Sequence, residues 1–201
     1  MVLIIILITI GVSVYAFYNR GITDRLSLKP NLVYHRFQIY RVFTHSLVHA
    51  DWSHLLVNMY VLYVFGRVSE QYFAIYFGNR ADLHFIQLYL FSLVVSSLYS
   101  IFKYKNNVYY SAVGASGAVN AVIFATIFFD PWNKLWFFGI IPIPGIVFGV
   151  LYLGYSYYMS KKNVDNVGHD AHFTGAIFGF LYPLLIDFSL IHQFIDKLLM
   201  K

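Results

Sequence analysis

The stretch G-A-S-G-A-V-N-A-V-I-F-A-T-I-F-F, Gly114–Phe129, sets a serine between two glycines at the head of an apolar run. Small residues let a chain turn sharply into a helix. Ser116 then falls in the first turn, where unsatisfied backbone N–H groups and the helix dipole favour negative charge. One hydrophobic span later, A-H-F-T-G-A-I-F-G at Ala171–Gly179 places His172 beside Gly175 and Gly179, a G-x-x-x-G pair. Such pairs let two membrane helices approach closely. A hydroxyl and an imidazole exchange a proton only within about 2.6–3.2 Å, and a glycine seam permits that approach. Each signal also has a plainer reading. Gly114, Ala115 and Gly117 suit a small-residue helix contact, and His172 alone suits a structural hydrogen bond.

Composition decides the class of protein. Of 201 residues, 59% are hydrophobic, 20% aromatic and 11% charged, and mean hydropathy is +0.63. A soluble domain carries about 25% charged residues, so the chain reads as a membrane protein. The absence of cysteine excludes disulfides, thiolate nucleophiles and Cys-ligated metals. Net charge is +5, but lysine and arginine are scattered between apolar runs. That pattern fits membrane flanks and argues against a nucleic-acid partner.

A spanning helix needs about 17–25 apolar residues. Six segments qualify or nearly do: 2–18, 53–68, 83–102, 115–129, 135–159 and 171–186. The expectation is an all-α, polytopic bundle of six membrane helices in a single domain over 1–201. The fourth and sixth are short, as expected if they begin below the membrane surface. The fifth contains Pro142 and Pro144 and is read as kinked or as starting after Pro144. Segment one also has signal-peptide features at Val14 and Ala16, but it lacks a basic n-region, and a retained helix is preferred. Residues 19–52 read as an interfacial or partly re-entrant first loop, with Phe37, Ile39, Tyr40, Val42 and Phe43 at the membrane surface. Residues 187–201 read as a short amphipathic tail, either the end of span six or an interfacial helix.

If the spans alternate, one side carries Arg20, Arg25, Lys29, Arg36, Arg41, Lys103, Lys105, Lys161 and Lys162. The amino-terminal side carries Arg67, Arg80, Lys134, Lys197 and Lys201. The excess mildly favours an outside amino terminus.

His54 and Asn58, in W-S-H-L-L-V-N-M, stand four apart and share a helix face near the start of a span. They suit either a polar pair between helices or a pair of hydrogen-bond donors.

The combination is more specific than its parts. The chain resembles the rhomboid family of intramembrane serine proteases from about Tyr40 to Gly179. The pieces in order are Y-R-V-F-T-H-S-L-V-H at Tyr40–His49, His54 with Asn58, G-R-V-S-E at Gly66–Glu70, G-A-S-G, and A-H-x-x-G-x-x-x-G. The resemblance implies a Ser–His dyad, with Ser116 as nucleophile and His172 as general base. It implies an oxyanion hole of the Ser116 backbone N–H, His54 and Asn58. Neither cofactor nor metal is implied. Partners would be the lipid bilayer and substrates with a single transmembrane segment, and the expected location is a bacterial-type plasma membrane.

The resemblance also implies structural roles. Arg41 would anchor the first loop, and Glu70 would tie the far end of span two to neighbouring loops. His45 and His49, which share a helical face by spacing, would lie near the active-site cavity. Gly114, Gly117, Gly175 and Gly179 would allow close approach. One position departs from the family. Many rhomboids carry an aromatic residue one turn after the serine, and here that position is Asn120, which by spacing could hydrogen-bond His172. His169 reads as a loop residue.

Three other functions fit the sequence less well. A histidine-box metalloenzyme would use H-S-L-V-H and H-D-A-H, but no H-x-x-H-H occurs, and that reading leaves G-A-S-G unexplained. A non-catalytic relative that binds membrane clients would lack the dyad residues. A transporter would show a duplicated half or an ionisable ring within the spans, and the sequence shows neither.

Overall fold

The computed structural model describes residues 1–200 except 138, 139, 163, 164 and 166. Residues 138 and 139 of the expected fifth span, and Lys201 of the tail and of the charge comparison, lie outside the described residues.

Helix α7, Ser116–Phe129, is the axis of the molecule. Its residues Gly117–Phe129 are buried without a break, and Ser116 alone is partly open. A helix apolar on every side must be enclosed on every side. Helices α5 (Trp52–Phe77), α6 (Ala81–Tyr104) and α9 (His169–Ile186) supply that enclosure. Outside them, α1 (Val2–Tyr18) packs on α5, and α8 (Gly145–Lys162) packs on α9 and α7. The outward faces remain apolar: Leu3, Ile4, Leu7 and Ile8 of α1 are exposed, as are Val147, Val150 and Leu151 of α8. By length and composition, one stretch among the described residues, Trp52–Tyr104, is long and apolar enough to cross a membrane. Val2–Tyr18 and Ser116–Phe129 are shorter apolar helices.

The first loop folds into short helices α2 (Arg20–Leu26), α3 (Pro30–Arg36) and α4 (Arg41–Thr44), then a 3-10 turn at His45–Leu47. Of the five apolar residues expected at the membrane surface, Phe37, Ile39, Tyr40 and Phe43 are exposed. Val42 is not among them. It is buried in a small cluster with Leu28, Val33 and Ile101.

Several boundaries differ from the expectation. The second span continues past Val68 to Phe77, because Glu70 finds partners at the start of α1 while Arg67 pairs with Glu70 itself. Of the two readings of the fifth, kinked or starting after Pro144, the second holds. Strands β1 (Lys134–Phe137) and β2 (Ile141–Pro144) form an antiparallel hairpin, and the helix starts at Gly145, after Pro144. Proline has no N–H to donate to the preceding helical turn, so Pro142 and Pro144 sit in a strand and α8 opens behind them. This hairpin departs from an all-helical architecture. The tail is a separate helix, α10 (Leu190–Leu198). Its Phe194 stacks on Phe128, with ring centroids 5.2 Å apart, and Lys197 Nζ donates to the Phe129 carbonyl at 2.7 Å, capping α7.

Candidate active site

Two helices from opposite ends of the chain's second half meet at Ser116 and His172. Gly175 of α9 lies against the backbone of Gly117, and Gly179 lies against that of Ala121. A Cβ at position 175 would come within 2.9 Å of the Gly117 carbonyl carbon. Glycine is required at both positions because backbone meets backbone. Gly117 in turn faces α6, where an added Cβ would lie 2.5 Å from Ser96 Oγ. Across this seam His172 Nε2 stands 2.7 Å from Ser116 Oγ. With Nε2 unprotonated, the serine hydroxyl donates to it, the geometry a base needs to take that proton.

Ser116 is the first residue of α7, so its backbone N–H belongs to the first turn, whose donors lack helical acceptors. Gly114, two residues earlier, has φ +109°, a conformation that glycine alone adopts readily. It is also covered by a ring: an added Cβ would lie 2.6 Å from His54 Cε1 and 2.8 Å from Nε2. The His54 imidazole therefore rests on the turn that leads into the serine. Asp51 caps α5, accepting from the His54 N–H at 2.8 Å and from Ser53 Oγ–H at 2.6 Å, which sets where His54 leaves the helix. Asn58 is buried, and one amide hydrogen is given to the His54 carbonyl at 2.9 Å.

Comparison with known proteins places this arrangement. A family profile described as Rhomboid domain matches residues 36–187. The chain belongs to the rhomboid family. It is 28% identical to the Rhomboid-like protein 11, chloroplastic, of Arabidopsis thaliana, covering 91% of this chain and 64% of the relative. It is 26% identical to the RHOMBOID-like protein 12, mitochondrial, of the same plant, covering 69% of this chain and 44% of the relative. The chain thus spans less than two thirds of each curated relative. Rhomboids are membrane proteins. The relatives' names place them in chloroplast and mitochondrion, so the expectation of a bacterial-type plasma membrane draws no support from them.

The remaining predicted residues of this rhomboid fall in three groups. Arg41 is buried in the first loop. Its Nη1 donates to the Asp24 and Ser27 carbonyls at 3.0 and 2.8 Å, and its Nε donates to Gln38 at 2.7 Å. Glu70 ties α5 to α1 rather than to loops, accepting from the Val2 N–H at 2.8 Å.

His45 and His49 do not share a helix face, because the chain turns extended at Val48. Both are buried. His45 Nδ1 lies 3.1 Å from the Arg41 carbonyl, and the His45 carbonyl receives the Gly114 N–H at 2.9 Å, linking the first loop to the serine turn. Ser13 Oγ donates to the Leu47 carbonyl and so accepts from His49 Nδ1–H at 3.0 Å. The His49 ring meets His54 edge-on at 4.9 Å. Burial pushes the His45 imidazole down to about 4 and, with the neighbouring His54, that of His49 down to about 3.

Asn120 does not bond His172. Its Nδ2 donates back to the Ser116 carbonyl at 2.8 Å, the ordinary i to i−4 side-chain bond of a short polar residue in a helix. His169 is not a loop residue. It is the first residue of α9, and it is buried. Asp51 escaped the sequence reading, and His169 was read as a loop residue although it opens α9. The D-W-S-H capping pattern could have revealed Asp51, while nothing local marks His169.

Proposed function

We propose that this rhomboid is an intramembrane serine endopeptidase that cuts peptide bonds in or near the transmembrane segments of other membrane proteins. The 2.7 Å approach of Ser116 Oγ to His172 Nε2 carries the reading. His172 takes the serine proton as Oγ attacks the scissile carbonyl, then returns it to the leaving amine. A water, deprotonated by the same imidazole, then hydrolyses the acyl-enzyme. The Ser116 N–H, His54 and Asn58 are the donors assigned to the oxyanion that forms in both steps. No cofactor is assigned a part.

Six spans remain the proposed membrane arrangement: α1, α5, α6, α7, α8 and α9. Helix α7 has 14 residues, about 21 Å at 1.5 Å per residue, against about 30 Å of hydrocarbon. Starting at the far surface, it ends roughly 9 Å short of the near one. Ser116 then lies recessed, in a cavity that hydrolysis requires to be wet. A substrate helix satisfies its own backbone hydrogen bonds and must unwind locally to be attacked. Segments with glycine or proline near the membrane edge unwind at least cost, so these form the proposed substrate class, entering sideways near α5 and α8.

The test is cleavage of a transmembrane reporter by purified protein, with fluorophosphonate labelling in parallel. Wild type should cut and label, whereas Ser116→Ala and His172→Ala should not cut and Ser116→Ala should not label. Equal cleavage by all three removes the assignment. A folded wild type that neither cuts nor labels points to the client-binding relative instead.

A further inference from the structure

A dyad works only while its imidazole is held in one orientation. Among the described residues, the bond to Ser116 is the one side-chain hydrogen bond that His172 makes. Asn120, one turn after the serine, bonds its own helix instead. The ring that packs on His172 is that of His169, with centroids 6.0 Å apart and planes at 74°. Edge-to-face pairs with centroids about 4.5–7 Å apart are favourable, and i, i+3 spacing puts the two rings on one helix face.

His169 is itself held on several sides. It is 6% exposed. Its Nε2 lies 3.2 Å from both carboxylate oxygens of Asp165, which precedes α9. Tyr155 of α8 meets its ring edge-on at 5.6 Å and 82°. With Nε2–H donated to Asp165, Nδ1 is left as a buried acceptor without a described partner. The next residue, Asp170, is tied to Lys103 of α6 at 3.4 Å. The first turn of α9 is thus pinned from α6, from α8 and from its own approach.

We propose that His169, clamped between Asp165 and Tyr155, is a positioning residue whose ring holds His172 in the orientation that faces Ser116. This inference rests on the protease reading above. It assigns His169 no contact with substrate.

Two substitutions separate the ring from the tie to Asp165. His169→Phe keeps an aromatic face against His172 and loses the bond to Asp165. His169→Asn keeps a donor for Asp165 and loses the ring. In reporter cleavage, His169→Asn should lower kcat about tenfold or more, since misplacing a reacting group by about 1 Å can cost 10²-fold. Its KM and thermal unfolding midpoint should stay near those of wild type. His169→Phe should keep kcat within about twofold of wild type, because the ring is what acts. Wild-type kcat in His169→Asn, or an equal loss in both variants, overturns the inference while leaving the protease reading intact. A wild type that neither cuts nor takes the fluorophosphonate removes the reading beneath it.

Discussion

Gly179 of α9 lies so near the Ala121 backbone of α7 that its own Cβ, if it had one, would overlap that residue's carbonyl oxygen. Gly175 meets Gly117 in the same way one turn closer to Ser116 and His172. The separation of two helix backbones is therefore set by atoms that cannot yield, and His172 inherits its distance to Ser116 from that seam. Protein interiors transmit such constraints because they are close-packed.

Gly179→Ala should force α7 and α9 apart. Overpacking a core typically costs about 1–3 kcal/mol, occasionally more, and backbone atoms on the opposing side place this site at the upper end. Thermal unfolding in detergent should show a clearly lowered midpoint, with cleavage falling alongside it. An unchanged midpoint would contradict the contact.

His54→Ala and Asn58→Ala should each reduce kcat by roughly 10²–10³ if the two side chains serve the oxyanion, with KM little altered. Steady-state cleavage of one reporter by both variants provides the check. A change confined to KM would assign them to substrate binding instead.

Asn120→Ala should leave the pH profile of cleavage where it is, since the amide bonds the Ser116 carbonyl. Loss of one such bond costs about 1 kcal/mol of stability. A shifted profile would show that Asn120 communicates with His172 after all.

Acid should weaken the first loop. His45 and His49 are buried neutral, at about 4 and about 3, below their ordinary 6.5. The unfolded chain binds protons at these sites first. Their contribution is therefore complete above pH 6.5 and is lost as pH falls from there through the folded values. The loss is at most about 1.4 kcal/mol per pH unit for each histidine. Unfolding midpoints measured from pH 7.5 to 4.5 should fall in wild type and fall less steeply in His49→Gln. Parallel curves would exclude His49 as a source.

Helices α1, α7 and α9 were legible almost to the residue, because an apolar run bounded by polar residues carries its own limits. Helix α5 was legible only to Val68. The polar residues Ser69, Glu70 and Gln71 interrupt its apolar run before Tyr72–Phe77 resume it, and what sustains Glu70 there is the Val2 N–H of another helix. The β1–β2 hairpin was hidden behind Leu135, Trp136, Ile140 and Ile141, since a short apolar run serves strand and helix alike. Only Pro142 and Pro144 hinted at the break.

At the site the division runs along the same line. G-A-S-G, A-H-x-x-G-x-x-x-G and the His54–Asn58 spacing marked the candidate residues by local pattern, and their roles came from the resemblance to rhomboids. The approach of Ser116 to His172, the His54 ring over Gly114, the inward bond of Asn120 and the packing of His169 were decided by tertiary structure. Each depends on which atoms of a distant segment occupy the neighbouring space, and no spacing along one chain encodes that distance.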